Sequence, residues 1–308
     1  MPNAIEHVDC SSAEILLKNL ERTNKLWGGY RHFWAFRGHS DDKKYKLIPS
    51  ALRDEPKAML GYTFDPKQGI QPTNDSQKDA EFQRLHEFYW AIDAQGLHVP
   101  GDNNLFRTPR GWTELEEKIM FQGWPVDELL PLLALAQHYG VPTRLLDWTE
   151  KPLVAAFFAV KGAVETTGTN YISVWAINLD WIINTAFPSN TKMSVYVVTA
   201  PRASNPNLHA QGGIFTTENL TRDELREPTF VGQVDTIVEK KWNDLNCSEP
   251  VMAHLKLPCS EGKKLLRLLN QEGINSATLF PGYQGVADSL TERELWDTPE
   301  RATFWMKI

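Results

Sequence analysis

The alternation of apolar and polar positions predicts a chain of interspersed helices and strands. Residues 12 to 26 carry Ile15, Leu16, Leu20 and Leu26 among polar neighbours, the pattern of an amphipathic helix with Ser11 or Ser12 at its N-cap and Gly28-Gly29 at its end. His32-Phe33-Trp34-Ala35-Phe36 has the aromatic density of a strand, which would leave Arg37 and Gly38 at its terminus. The stretch from 53 to 77 contains several Pro, Gly, Asp and Asn residues and reads as a long loop. From 77 to 95, Phe82, Leu85, Phe88, Tyr89 and Ile92 recur at helical spacing. A turn-rich stretch from 96 to 113 precedes a short helix expected within Trp112 to Gln122.

Val126 to Tyr139 is the clearest helical segment, apolar on more than one face through Leu129, Leu130, Leu132, Leu133, Leu135 and Ala136, and stopped by Gly140. Thr143 to Thr149 reads as extended. Thr149 is placed to cap the next helix, because Pro152 fits a first helical turn and Leu153 to Val160 is an apolar run. Tyr171 to Ile177, Met193 to Val198 and Ile214 to Thr217 are expected strands, rich in β-branched or aromatic residues. Gly262 to Gln271 reads as a helix and Ser276 to Phe280 as a strand. The class is α+β, with no internal repeat, no low-complexity tract and no composition shift that marks a domain boundary.

Composition narrows this picture. A chain of 308 residues with 42% apolar and 23% charged residues can bury a core without disulfide or metal staples. Many of the 11 Trp residues adjoin polar or Gly positions, as in Trp27-Gly28 and Gly111-Trp112, and read as core-edge side chains. Cys10, Cys247 and Cys259 are odd in number and widely spaced, which fits a reducing compartment. The first residues lack a basic segment followed by an apolar one, and no apolar run approaches the ~20 residues that span a bilayer, so a cytoplasmic protein with no membrane partner is expected. A net charge of −7 disfavours a general phosphate-tracking surface, although it leaves room for a local basic groove.

Candidate chemistry concentrates in three places. Arg37 follows a run of aromatic and apolar residues and precedes Gly38, where backbone can approach a ligand closely; a guanidinium there can grip phosphate, or it can pair with a carboxylate. The segment from Ala136 to Thr149 packs His138, Tyr139, Arg144, Asp147, Trp148 and Thr149 between two apolar helices. Such residues either satisfy one another, with Asp147 pairing Arg144 or capping a helix, or they face a cavity. His138 at a helix end reads first as a packing residue. Asn207 to Phe215 holds Gln211 before a Gly pair and reads as a turn entering a strand, although Gln211 could bond a ribose. HxxxH and CxxC spacings, the GxSxG elbow, GxGxxG and GxxxxGK[ST] are all absent, so neither a metal site, a serine hydrolase nor a standard phosphate loop is expected.

Taken together, these segments resemble the FRG domain, a family named after its Phe-Arg-Gly triplet. The resemblance is carried by Phe36-Arg37-Gly38, Leu47 to Arg53, the long block from Leu135 to Thr149, and Pro152 to Ala155 with Phe158-Ala159. Looser matches at Ala210-Gln211, Gly213, Phe215, Gly273 to Asn275 and Leu279 to Pro281 extend it over about residues 30 to 290. It implies a single domain over 1 to 308 with a short N-terminal helical extension, and a toxin or anti-phage defence role.

A second resemblance, to ADP-ribosyltransferases, lies in the order of Arg37 on a first strand, Thr149 before a helix, and Gln211 before a later strand. It implies split sheets around a central cleft flanked by helices, with NAD as substrate. By that likeness Arg37 would hold the NAD phosphates or nicotinamide ribose, Thr149 would support the nicotinamide pocket and Gln211 would take the place normally held by Glu. Gly38, His138, Tyr139, Arg144 and Trp148 would complete the binding surface. Because Gln lacks charge, Asp147 or the more distant Glu292 would supply the carboxylate. The acceptor would be a protein or a nucleic acid, including RNA, and a neutralising antitoxin is an expected partner. The alternative is a non-catalytic nucleotide-binding or regulatory module in which Arg37 and Arg144 recognise phosphate.

Overall fold

The computed structural model describes residues 3–28, 33–53, 73–164, 170–186, 194–200, 205–227 and 233–296. Strand β1 (Ile5–Asp9) leads into helix α1 (Ala13–Leu20), which starts where the Ser12 side chain accepts from the Ile15 amide. The helix is shorter than its apolar spacing suggests. It ends at Leu20, and Leu26 and Trp27 belong to a separate 3-10 turn closed by Gly28 at φ 64°, a left-handed conformation that suits glycine. Strand β2 (Trp34–His39) places Arg37 and Gly38 inside the strand rather than at its end, because its pairing with a neighbouring strand continues through His39. Gly29, His32, Met193 and most of the expected 53-to-77 loop lie outside the described residues.

Thr73 and Ser76 form a reciprocal cap that opens α2 (Asn74–Ala94), and Thr108 caps α3 (Pro109–Gln122). The segment expected as one helix from Val126 to Tyr139 is instead a 3-10 turn (Asp127–Leu129) followed by α4 (Leu130–His138). Pro131, which has no N–H to donate, sets the start of α4 in its first turn. Strand β3 (Leu146–Thr149), α5 (Pro152–Val164), β4 (Tyr171–Asn178), α6 (Leu179–Ala186) and β5 (Ser194–Val198) follow.

The expected turn before the next strand is a short helix, α7 (Pro206–Gln211), capped by Asn205 and closed by Gly212 at φ 62°. Strand β6 (Gly213–Asn219), α8 (Arg222–Leu225), α9 (Val234–Asp244), β7 (Met252–Pro258) and α10 (Gly262–Gln271) come next. Ser276 to Phe280, expected as a strand, is instead α11 (Ser276–Leu279): the reciprocal cap of Asn275 with Thr278 captures four residues whose own preference is weak. Helix α12 (Tyr283–Trp296) is the last described element.

The α+β class holds. Seven strands form one mixed sheet in the order β1-β7-β4-β2-β3-β6-β5, parallel between β1 and β7 and antiparallel elsewhere. Strand β2 pairs with β4 along its whole length but meets β3 only at Phe36 and Thr149. Side-chain alternation then sorts the cores. One face buries Ala35, Ile177, Met252, Leu146, Trp148 and Ile214 beneath α6 and α9. The other face carries two separate cores, one joining Phe36, Val174 and Leu255 to α1, α5 and α10, and one joining Val198 and Phe215 to α2, α3 and α4. The seam between these two cores runs along the β2–β3 junction.

The second of those cores is tied to the sheet by charge. Arg144 is 1% exposed and donates Nε to Glu81 Oε2 and Nη2 to Glu81 Oε1, both at 3.1 Å, while Glu218 Oε2 stands 3.9 Å from Nη1. Glu81 also accepts from Trp124 Nε1 and Gln77 Nε2. One guanidinium thus faces two buried carboxylates, and it satisfies Glu81 first. Burial pushes the Glu218 carboxyl from its ordinary 4.5 to about 7, with Arg144 opposing the shift and Glu224 and Glu81 adding to it. Between those two values the folded state holds more protons than the unfolded state, so stability falls as pH rises through the window. Glu218→Gln is therefore expected to flatten the pH dependence of thermal unfolding between about pH 4.5 and 7 and to gain on the order of 2 kcal/mol over the parent at pH 8. An unchanged slope in denaturation curves would contradict this.

Candidate functional site

A cavity of about 530 Å³ opens on the seam, lined by Phe36, Arg37, Gly38, the α4 C-terminus, Asp147 to Thr149, Ala155, Phe158, Asn207, Gln211 and Phe280. Strands β2 and β3 form its floor. By alternation Phe36 and Gly38 face α5, whereas Arg37 starts on the opposite face with Ala35. Its guanidinium crosses the gap beside the single β2–β3 pair: Nη1 donates to the Asp147 carbonyl oxygen at 2.7 Å and lies 3.6 Å from Asp147 Oδ2, and Nε donates to His39 Nε2 at 3.2 Å. A carbonyl that a regular ladder would satisfy is taken by a side chain. Burial lowers the Arg37 pKa and the Asp147 charge partly restores it; an arginine so placed stays cationic.

Asp147 is the carboxylate at this site, and its side chain is 50% exposed. Its orientation comes from Gln137 on α4, whose Nε2 donates to Asp147 Oδ2 at 2.8 Å. Gln137 is itself fixed, because its Oε1 accepts from Thr143 Oγ1 at 2.7 Å and from Ser50 Oγ at 3.2 Å, which forces the amide nitrogen toward the acid. Of the alternatives left open for Asp147, pairing with Arg144 does not occur, and the side chain faces the cavity.

Of the residues singled out from the sequence, Arg37, Gly38, His138, Tyr139, Asp147, Trp148, Thr149 and Gln211 all line the cavity. Arg144 does not, being held by Glu81. Trp148 contributes no indole face, because its side chain is buried in the core beneath the sheet with Nε1 donating to Thr216 Oγ1 at 2.8 Å. The Thr149 hydroxyl proton is committed: it is donated to the Gln211 carbonyl at 2.5 Å, and the oxygen accepts from the Lys151 amide at 3.0 Å. It therefore braces β3 against α7 rather than capping α5 directly. Gln211 donates Nε2 to the Leu279 carbonyl at 3.2 Å, which fastens α11 to the cavity wall. His138 and the 69% exposed Tyr139 stand at the rim, and burial lowers the His138 pKa while Asp147 opposes the shift.

Glu292, the distant carboxylate, is outside the cavity. It is buried against the Ser276 amide at 3.1 Å and Lys161 Nζ at 3.2 Å. Among the described residues no group of three or more His, Cys, Asp or Glu could hold a metal ion, and no helix is long and apolar enough to cross a membrane.

Sequence reasoning gave no site role to Gln137, His39, Asn207, Phe158 or Phe280. His39 had a signal, since a residue two positions after Arg37 on a strand shares its face. Phe280 had none, because its place depends on the docking of α11. The role of Gly38 also changes. A Cβ there would collide with the Ala155 carbonyl oxygen and lie 2.6 Å from the Ala159 nitrogen, so glycine is required by the close approach of α5 as well as by any ligand.

The geometry described above belongs to an α+β protein with a polar cavity at a sheet seam. Residues 32–167 match the family model of the FRG domain. No curated protein and no solved structure matches it.

Two variants test the site's construction. Gly38→Ala should cost at least ~2 kcal/mol in chemical denaturation, because rigid backbone on α5 cannot yield as a flexible side chain does; a neutral effect would contradict the packing. Gln137→Leu should leave the fold intact but release the Asp147 side chain from its single orientation, seen as averaged three-bond couplings about the Asp147 Cα–Cβ bond by NMR, since the carboxylate loses the amide donor that aims it.

Proposed function

We propose that the seam cavity binds an anionic dinucleotide and that the protein is an NAD-dependent ADP-ribosyltransferase, a toxin or anti-phage effector acting on a protein or nucleic-acid acceptor. The observation that carries this reading is the juxtaposition of a cation and a partly exposed carboxylate in one cavity: Arg37 Nη1 lies 3.6 Å from Asp147 Oδ2. A strand-borne guanidinium suits the diphosphate, and a carboxylate beside it suits a sugar on which positive charge develops. The described strands form one sheet where split sheets were expected, and the cleft of this reading lies on one face of the β2–β3 junction, where pairing narrows to Phe36 and Thr149.

In this reading the bond between the ribose C1′ and nicotinamide breaks, and nicotinamide leaves with the bonding electron pair. Asp147 stabilises the oxocarbenium-like ribose, the acceptor's lone pair forms the new bond to C1′, and the acceptor proton passes to solvent or to Asp147. Gln211, tied through its amide nitrogen, offers Oε1 to a ribose hydroxyl. His138 and Tyr139 stand edge to face at the rim, with 83° between their planes, and the exposed Tyr139 ring offers a base one face to stack on. Thr149 shapes the wall and makes no direct claim on the ligand.

The test uses NAD labelled in its ADP-ribose half, incubated with the full chain and a cell extract. Nicotinamide release and label transfer are expected for the parent, with a loss of about 100-fold in Arg37→Ala and in Asp147→Asn. NAD binding without nicotinamide release would make the protein a nucleotide-binding module instead. Absence of both binding and release would overturn the proposal altogether.

A further inference from the structure

The geometry points to His39 as the positioning residue for Arg37: a neutral imidazole whose Nε2 lone pair holds the Arg37 Nε–H and turns the remaining donors of the guanidinium toward a phosphate-bearing ligand. This rests on the anion-binding reading of the cavity.

The tautomer follows from the donor's chemistry. A guanidinium only donates, so the 3.2 Å contact from Arg37 Nε requires a lone pair on His39 Nε2 and places the ring proton on Nδ1. His39 is 3% exposed, and its Nδ1 has no hydrogen-bond partner among the described residues. An unpaired buried donor is destabilising, and an apolar side chain in the same space would avoid that cost. What the imidazole supplies in exchange is the acceptor for Arg37.

The ring's surroundings keep it in that state. It is faced by Arg37 from its own strand, by Asp42 and Tyr45 from the turn that follows, by Arg53, by His254 from β7, and by Ser173, its ladder partner on β4. Burial, then the Arg37 and His254 charges, hold its pKa near 3, with Asp42 opposing and Arg53 adding a smaller downward push. Protonation would remove the acceptor and set a second cation against Arg37. The neighbouring His254 is itself fixed, stacked on Trp175 at 3.9 Å and bonded to Asp42 Oδ1 at 2.7 Å. Trp175 is the ladder partner of Arg37, so the same row of the sheet carries both supports.

Two anchors, His39 Nε2 and the Asp147 carbonyl, take Nε–H and one Nη1–H. One donor on Nη1 and two on Nη2 remain out of the five a guanidinium has, enough for two-pronged contact with a phosphate. Lysine, with a single rotatable ammonium, could not be aimed in this way.

Binding of NAD and of inorganic pyrophosphate to the full chain, measured by calorimetry for the parent, His39→Gln and His39→Leu, tests the inference, with melting curves recorded alongside. The Gln amide oxygen can accept the Arg37 Nε–H and Leu cannot. His39→Leu should lose about 10-fold or more in affinity for both ligands, as expected for a hydrogen bond to a charged group, and His39→Gln should recover most of it. Parental affinity in His39→Leu, or equal losses in both variants tracking their melting temperatures, would overturn the positioning role while leaving the cavity reading intact. A parent that binds neither ligand would overturn the cavity reading and this inference with it. Nitrogen NMR of labelled histidine in the unmutated protein gives a check free of any folding defect: His39 should stay neutral with its proton on Nδ1 from about pH 5 to 8, and titration in that range or a proton on Nε2 would refute the assignment.

Discussion

The architecture of this protein depends on how one guanidinium bridges a parting in a β-sheet. Strands β2 and β3 share a single residue pair, and beyond it Arg37 reaches across to the Asp147 carbonyl at 2.7 Å. A charge-assisted bond replaces a ladder bond. The sheet therefore stays continuous on the face covered by α6 and α9, while on the other face two cores separate and leave the cavity between them.

Each element around that gap is held from behind. Helix α5 sits directly on β2 because Gly38 has no Cβ, and Thr149 ties the end of β3 to α7. Gln137, oriented by two hydroxyls, aims Asp147 from the α4 side. Arg37 is aimed by His39 from below. The cavity's two charged groups thus form an ion pair at 3.6 Å in which each partner has its own support.

The positions at which sequence reasoning and structure part company share a cause. Helix α4 starts late because Pro131 lacks a donor, a local fact; α11 forms where a strand was expected because a cap outweighs weak intrinsic preference over four residues. Strands β1 and β7 went unread, and their mutual pairing joins residues more than two hundred positions apart, such as His7 and His254. Arg144 and Trp148 looked like ligand contacts because they stand in a polar block, yet the Arg144 guanidinium is held by Glu81 in a buried ion pair and the Trp148 ring lies in the core under α6 and α9.

By itself, the sequence determined the α+β class, most helix positions, and the set of polar residues that gather at the cavity, because periodicity and capping act over a few residues and Arg37, Asp147, Thr149 and Gln211 stand out against apolar surroundings. Only the tertiary structure decided which carboxylate faces the cavity, that the Thr149 hydroxyl is already committed, and that His39 and Gln137 aim the two charges. Those outcomes turn on the direction in which each side chain leaves its strand and on partners brought together by the sheet, and neither is encoded in local spacing.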